Sequence, residues 1–287
     1  MRIEKVFPVI IACLIAGCTT ERVAARLAFP LVQGQYDAIQ DESDVVLAER
    51  AIPASLKRME GLLKEDPENV ELLLRLSEGF CGYAFSFLED TEPARAAAAY
   101  SRGRGYASRA LRADAGGMDL EALNLDEFDG GLAALGKDHL PALFWLGQCW
   151  AGWLNLSLDN PLAFADISRL QKLIGRLLEI GPGYHHGGPH LLAGAFYGGR
   201  SRVLGGDPEK ARSHFEESLR LTEGNYLVAR YLYAKTLAVQ TQDRSLFEQQ
   251  LKTVEAAAAD GLPGQRLANE VAKVRSKLLL ESADDLF

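Results

Sequence analysis

Short breaks rich in Gly, Pro, Asp and Asn divide most of this chain into segments of about 12–20 residues, an ordinary length for globular helices. Between the breaks Ala and Leu dominate and β-branched residues are sparse, which favours helices over strands. Asp or Asn before a helix accepts hydrogen bonds from its free N–H groups, and Pro suits the first turn. The breaks lie at 66–69, 114–117, 159–161, 181–183, 205–208, 223–225 and 260–264. This succession predicts an all-α fold.

The breaks also indicate a repeat of helix pairs near the period of about 34 residues that is typical of tetratricopeptide units. The best match is 190–223, with a small residue at Gly199 and a turn at 206–208. A second pair follows over 226–254. We therefore predict one helical domain over residues 33–287, an array of helical hairpins with degenerate tetratricopeptide-like repeats. Ala/Leu periodicity leaves an α-solenoid and a folded helical bundle both open.

The N-terminus has the pattern of a secretory signal. Two basic residues precede an apolar run at 6–16, and small residues stand immediately before Cys18. The run is shorter than the roughly 20 residues that span a membrane as a helix. The pattern resembles a bacterial lipobox, which implies a signal peptide over 1–17, lipidation of Cys18 and a linker over 18–32. The mature body is then expected in the periplasm, tethered to a membrane only by lipid. The sequence does not decide whether this is the inner or the outer membrane.

The chain is acidic, with 31 Lys and Arg against 39 Asp and Glu and a net charge of −8. Signal cleavage would also remove Arg2, Lys5 and Glu4 and leave it one charge more acidic. Nucleic-acid binding is disfavoured because it requires clustered basic residues, and so is a basic membrane-binding face.

Cysteine usage leaves one pair to consider. Cys13 would leave with the signal and Cys18 would carry lipid, so Cys81 and Cys149 remain. An oxidising compartment permits a disulfide, but both lie in apolar helix-like stretches where Cys often acts as a small hydrophobe. Spacing alone does not decide between the two interpretations.

No motif for catalysis is present: Gly-x-Ser-x-Gly and the Walker phosphate loop are both missing. Three of the five histidines lie within 185–190, and His186 and His190 have the i, i+4 spacing of zinc ligands on a helix. Two Gly and a Pro between them interrupt such a helix, and no acidic or Cys partner flanks them. A loop-to-helix joint or a ligand-facing His190 is favoured over a metal site, so we predict no metal and no cofactor.

All three tryptophans lie within residues 144–153, together with small residues that let helices approach closely. An aromatic stripe on a helix usually faces a core, and the alternative is the wall of an apolar pocket. In that alternative the next helix pair supplies the opposite wall. The predicted ligand-binding residues are Trp145, Trp150, Trp153, His190 and Tyr197.

Several ordered motifs resemble one family. They are Phe144-Trp145, Tyr184-x-x-Gly187-Gly188-Pro189-His190, Gly205-Gly206-Asp207-Pro208-Glu209-Lys210-Ala211, Asn225-Tyr226-Leu227 and Gln242-Asp243-Arg244-x-x-Phe247. In this order they are similar to the T component (TatT) of tripartite ATP-independent periplasmic (TRAP) transporters, most clearly over 140–257. The resemblance implies a lipid-anchored, all-helical protein that associates with the periplasmic solute-binding component and either carries a hydrophobic ligand or helps to hold substrate near that component. The motifs identify neither the ligand nor the oligomeric state.

The sequence therefore predicts a lipid-anchored adaptor of a TRAP transport system rather than an enzyme. The alternative is a tetratricopeptide scaffold lipoprotein for envelope or outer-membrane assembly, which would bind a peptide or protein helix. An enzyme is disfavoured because no set of nucleophile, base and orienting group can be named.

Overall fold

The computed structural model describes residues 26–157 and 160–287, without the side chains of Pro161 and Leu162. Within these residues the chain is helical and contains no strand, which confirms the predicted all-α fold. The helices are α1 (residues 26–40), α2 (Val45–Glu65), α3 (Val70–Tyr83), α4 (Pro93–Asp114), α5 (Leu125–Ala134), α6 (Leu140–Asn155), α7 (Pro161–Ile180), α8 (Tyr184–Gly198), α9 (Pro208–Leu221), α10 (Leu227–Tyr233), α11 (Arg244–Ala256), α12 (Arg266–Glu281) and α13 (Ala283–Leu286). Cys18 and the predicted signal lie outside the described residues, and the described end of the predicted linker, 26–32, is helical.

The predicted breaks separate helices, as far as the structure describes them. At five of the described helix starts, those of α2, α3, α5, α9 and α11, an acidic or amide side chain accepts from a backbone N–H three residues on, as an N-cap should. Asn69 accepts from Leu72 at 3.1 Å, Asp207 from Lys210 at 3.1 Å, and Asp243 from Leu246 at 2.9 Å. Only the break at 159–161 extends beyond the described residues, at Asp159.

The helices form two layers that close on themselves. Helices α3, α6, α8, α10 and α12 each pack against the next as an inner layer, and α4, α7, α9 and α11 pack outside them. The last inner helix then returns to α2, where Leu267 and Val271 share an apolar cluster with Ala48. The array is therefore folded around a central space rather than extended as an open solenoid.

A disulfide joins the first two inner helices. Cys81 on α3 and Cys149 on α6 are bonded, with their Cα atoms 5.5 Å apart, and both are buried. Gly103 on α4 packs directly against this bond, because a Cβ there would lie 2.3 Å from the Cys81 Sγ. The structure thus answers the question that spacing left open.

Two inner helices change to π-helical turns at neighbouring ends. Ala84–Leu88 follows α3, and Ala234–Ala238 follows α10. Single π turns within helices are frequently found at functional sites. None of the described helices combines the length and the apolar character that a membrane-spanning segment needs.

Candidate functional site

A cavity of about 480 Å³, here called the main cavity, lies inside the closed array. This volume is in the usual range for small-molecule sites. Its lining comes mainly from α1, α2 and the inner helices; among described residues α5, α7, α9 and α11 contribute none. Most of the wall is apolar, including Leu56, Met59, Phe85, Phe144, Trp145, Leu191, Leu192, Val228, Leu232 and Leu267.

A second cavity of about 900 Å³, here called the side cavity, adjoins the first beside α1. Its wall is more polar, and its outer part carries exposed carboxylates at Asp37, Asp41 and Glu71. The residues that line both cavities are Tyr36, Gln40, Arg75, Glu78, Trp145, His185 and Gln265. These shared residues mark the junction where a ligand would pass from one cavity to the other.

An ion pair on α3 stands at this junction. Arg75 Nη1 donates to Glu78 Oε2 at 2.7 Å, and the Tyr36 hydroxyl donates to Glu78 Oε1. The Arg75 guanidinium also lies 4.3 Å from the centre of the Tyr36 ring and donates through Nε to Gln33. Burial raises the pKa of the Glu78 carboxyl, although both hydrogen bonds act against that rise.

His185 forms the adjoining wall in an unusual backbone conformation. His185, His186 and Gly187 all have positive φ, at 45°, 59° and 73°, before the regular part of α8 begins. Left-handed backbone at non-Gly residues costs of order 1 kcal/mol or more and persists where the surroundings impose it. The His185 ring is packed 5.4 Å from the Phe144 ring and 5.1 Å from the Trp145 ring. Packing in the wall therefore fixes this imidazole at the junction.

The His185 imidazole is neutral at pH 7. Burial, assisted by the positive charges of His186 and Arg75, lowers its pKa to about 4. Its ring nitrogens have no hydrogen-bond partner among the described residues. A neutral imidazole has one donor and one acceptor, so both are available to a ligand.

A second charged cluster lies where the two π turns meet. Lys235 Nζ lies 3.1 Å from Asp90 Oδ1, and Arg275 Nη2 lies 2.7 Å from Asp90 Oδ2 and 3.1 Å from Glu89 Oε2. Burial would lower the pKa of Lys235, but Tyr231 and the two carboxylates raise it on balance. Glu89 lies about three helical turns beyond Glu78 on the same helical run. The main cavity therefore has a charged cluster at each end of its α3 wall.

The predicted tryptophans have different surroundings. Trp145 lines both cavities. Trp150 is fully buried, donates from Nε1 to Asp166 at 2.8 Å and lies under the Arg104 guanidinium at 4.0 Å, so it is a core residue. Trp153 is half-buried between two apolar clusters and lines neither cavity.

His190 and Tyr197 lie on the side of α8 that faces α9. His190 Nδ1 is 3.0 Å from His214 Nδ1, and the Tyr197 ring stacks on the His214 ring with 6.0 Å between centroids. Neither residue lines the two cavities. The structure thus places one of the five predicted residues in the cavity wall and leaves the set as a prediction. Described residues also contain no group of three or more His, Cys, Asp or Glu that could hold a metal ion.

Sequence reasoning missed Arg75, Glu78 and His185. The pair on α3 has a signal, because two charged residues three apart interrupt an otherwise apolar helix between Leu72 and Phe80. Such a pair inside an apolar stretch must be partnered or serve a function. No comparable signal marks His185, whose position follows from the left-handed turn.

Acidification should destabilise the fold through His185. The unfolded chain takes up this proton near the ordinary pKa of 6.5, whereas the folded chain does so only near about 4. Its stabilising contribution is fully present above pH 6.5 and declines toward pH 4, by up to about 1.4 kcal/mol per pH unit for one proton. Asn is the replacement because it tolerates the left-handed backbone at this position. Urea unfolding measured across this pH range should show that the free energy of unfolding changes less with pH in His185→Asn than in the wild type. An unchanged slope in that variant would contradict the assignment.

The comparisons with known proteins point in one direction. The family model described as TRAP transporter T-component matches residues 41–287, which includes every helix from α2 onward. This match confirms the resemblance found in the motifs. No curated protein matches the sequence.

Proposed function

Because the chain belongs to the TRAP transporter T-component family, we propose that it is the lipid-anchored accessory subunit of a TRAP system. In this role it binds the periplasmic solute-binding component and holds an apolar ligand in the main cavity. Membership associates the chain with a transport system as an accessory subunit and not with a known enzyme class. The observation that carries the ligand-binding proposal is the main cavity with its mostly apolar wall.

Ligand binding would be driven by burial of apolar surface. Leaving water contributes about 25 cal/mol per Å² of apolar surface, and polar groups in such pockets chiefly fix orientation. Trp145 supplies a large aromatic face at the junction, while Arg75, Glu78 and His185 supply the polar groups there. The cavity therefore suits a molecule with an apolar body and at least one polar end.

The lipid on Cys18 would add proximity to the partner. Confinement near one membrane raises the effective concentration of proteins that work there, without any new contact. The acidic body would contact the membrane only through this lipid, because it offers no excess of basic residues.

Pull-down of the full-length protein from its own cell envelope tests the proposal. Mass spectrometry of co-purifying proteins and of extracted small molecules should identify a solute-binding protein and an apolar compound. Recovery of envelope-assembly factors without any solute-binding protein would support the scaffold alternative and contradict our proposal. A variant with Trp145→Ala should retain the protein partner while it recovers less of the compound, since Trp145 lines both cavities.

Replacing Cys18 with Ser should release the protein from membranes. Stable anchoring requires the acyl chains that only the cysteine sulfur and its new amino group would carry. Fractionation should place the wild type with membranes and Cys18→Ser in the soluble fraction. Thr19→Ser is the matched control and should stay with membranes. Cys18→Ser protein that still sediments with membranes would contradict the anchor.

A further inference from the structure

The charges in the wall of the main cavity compensate one another. The charged lining residues are Arg75, Glu78, Glu89, Asp90 and Lys235. Arg75 and Glu78 pair at one end, and Lys235 pairs with Asp90 at the other. Glu89 pairs with Arg275, which also contacts Asp90 and is only 5% exposed. No charge in the described wall lacks a partner of opposite sign.

Neutral polar side chains in the same wall lack hydrogen-bond partners. The side chains of Gln148, His185, Tyr226 and Gln265 line the main cavity and have no hydrogen bond to a described residue. Gln148, His185 and Tyr226 are half-buried, and Gln265 is 8% exposed. Burial raises the pKa of Tyr226, which keeps its hydroxyl protonated. All four side chains border a space that a ligand can fill, and their donors and acceptors are available to it.

A charged ligand group would disturb this balance. A carboxylate beside Arg75 would place two anions on one guanidinium, because Glu78 already occupies it. An ammonium beside Glu78 would place two cations on one carboxylate. Burying a charge without a counter-charge is costly, whereas a hydroxyl, amide or ester can use free donors and acceptors without that cost. The exposed carboxylates of Asp37, Asp41 and Glu71 further oppose the entry of anions.

We propose that the main cavity selects a neutral amphiphile, with an apolar body and an uncharged hydrogen-bonding head placed among His185, Gln148, Tyr226 and Gln265. This inference rests on the proposed ligand-binding function and names the chemical class of the ligand. It excludes fatty acids and alkylammonium ions as preferred ligands of this cavity.

Three probes with chains of ten carbons, the carboxyl carbon of decanoate included, test the head-group preference. Full-length protein freed of bound lipid is titrated at pH 8 with decanol below its solubility limit, or with decanoate or decyltrimethylammonium below their micelle concentrations. Trp fluorescence and calorimetry report binding. Decanol should bind at least about tenfold more tightly than either ion, a difference that is easily resolved. Equal or tighter binding of decanoate or decyltrimethylammonium would overturn the proposal.

Glu78→Gln should reduce the preference of the main cavity for decanol over decanoate. The change keeps the side chain's size and leaves the Arg75 guanidinium without its counter-charge, so decanoate affinity should rise about tenfold. Glu68→Gln removes the same charge from the exposed turn before α3, at a residue that lines neither cavity, and should leave the order of affinities unchanged. Unchanged decanoate affinity in Glu78→Gln, with circular dichroism showing an intact fold, would contradict the charge argument.

The outcomes separate this inference from the proposed function. Tight binding of a charged probe in the cavity would leave the ligand-binding function standing and refute the neutral head group. Failure of all three probes to bind would contradict both. Recovery of the solute-binding protein in the pull-down tests the adaptor role independently of either result.

Discussion

Removing the Cys81–Cys149 disulfide should lower the free energy of unfolding by about 4 kcal/mol. The two cysteines are 68 residues apart in sequence, so the bond closes a long loop and removes many conformations from the unfolded chain. It also joins α3 to α6, two inner helices that carry much of the cavity wall, including Trp145 and Glu78. Urea unfolding of the Cys81→Ala/Cys149→Ala variant against the oxidised wild type measures the loss.

Reduction of the wild type is the matched control for this variant. A thiol reductant added to the unfolded wild type should bring its midpoint close to that of the double variant, and should leave the variant itself unchanged. Loss of the disulfide should also weaken ligand binding, because Cys81 lines the main cavity and α3 would be held less firmly in position. Equal midpoints for the oxidised wild type and the variant would show that the bond does not form in the protein.

The helix boundaries could be predicted because the signals that set them are local. Asp207 caps α9 from one residue before it, and Pro208 occupies the first helical position, where its missing N–H is not needed. Gly205 ends the preceding turn with φ at 84°, a conformation that Gly adopts without steric cost. Each signal involves only a few neighbouring residues, so a single sequence contains it.

The closure of the array could not be predicted in the same way. It depends on contacts such as Leu267 with the α2 cluster, which bring together residues far apart in the chain. Ala/Leu periodicity shows that a helix has an apolar face but not which helix covers that face. For the same reason the pairing of Cys81 with Cys149 could not be predicted without the distance between their Cα atoms.

The candidate site was predictable only in part. Trp145 could be named because aromatic residues on a helix with small neighbours often form a wall, yet the same rule named Trp150, which is a core residue. The rule does not tell which side of α6 faces the cavity. His190 was named as the ligand-facing histidine and His185 was not, because the sequence carries no signal for the left-handed turn that brings the His185 imidazole to the junction.

Replacing Arg275 with Met should cost about 3–5 kcal/mol of folding free energy, the usual effect of removing one partner from a buried ion cluster. Arg275 is 5% exposed, pairs with Glu89 and Asp90, and donates to the Phe85 carbonyl of the π turn. Met fills similar volume but leaves two carboxylates with Lys235 alone. Because Arg275 on α12 reaches back to the end of α3, its loss should also loosen the closure of the array, measured by hydrogen exchange in both helices.

Three further measurements distinguish this ion cluster from a general effect of lost charge. Lys277→Met removes a cation from the exposed side of the same helix and should change stability by no more than about 0.5 kcal/mol. Adding Asp90→Asn to Arg275→Met should recover part of the loss, because it removes one uncompensated anion.

Burial would raise the pKa of Asp90, but Arg275 and Lys235 hold it below its ordinary value. The cluster therefore stabilises the wild type at neutral pH and loses that effect as the pH falls through the lowered pKa, so the two proteins should converge in acid. A pH-independent difference, or no recovery with Asp90→Asn, would assign the loss to packing rather than to charge.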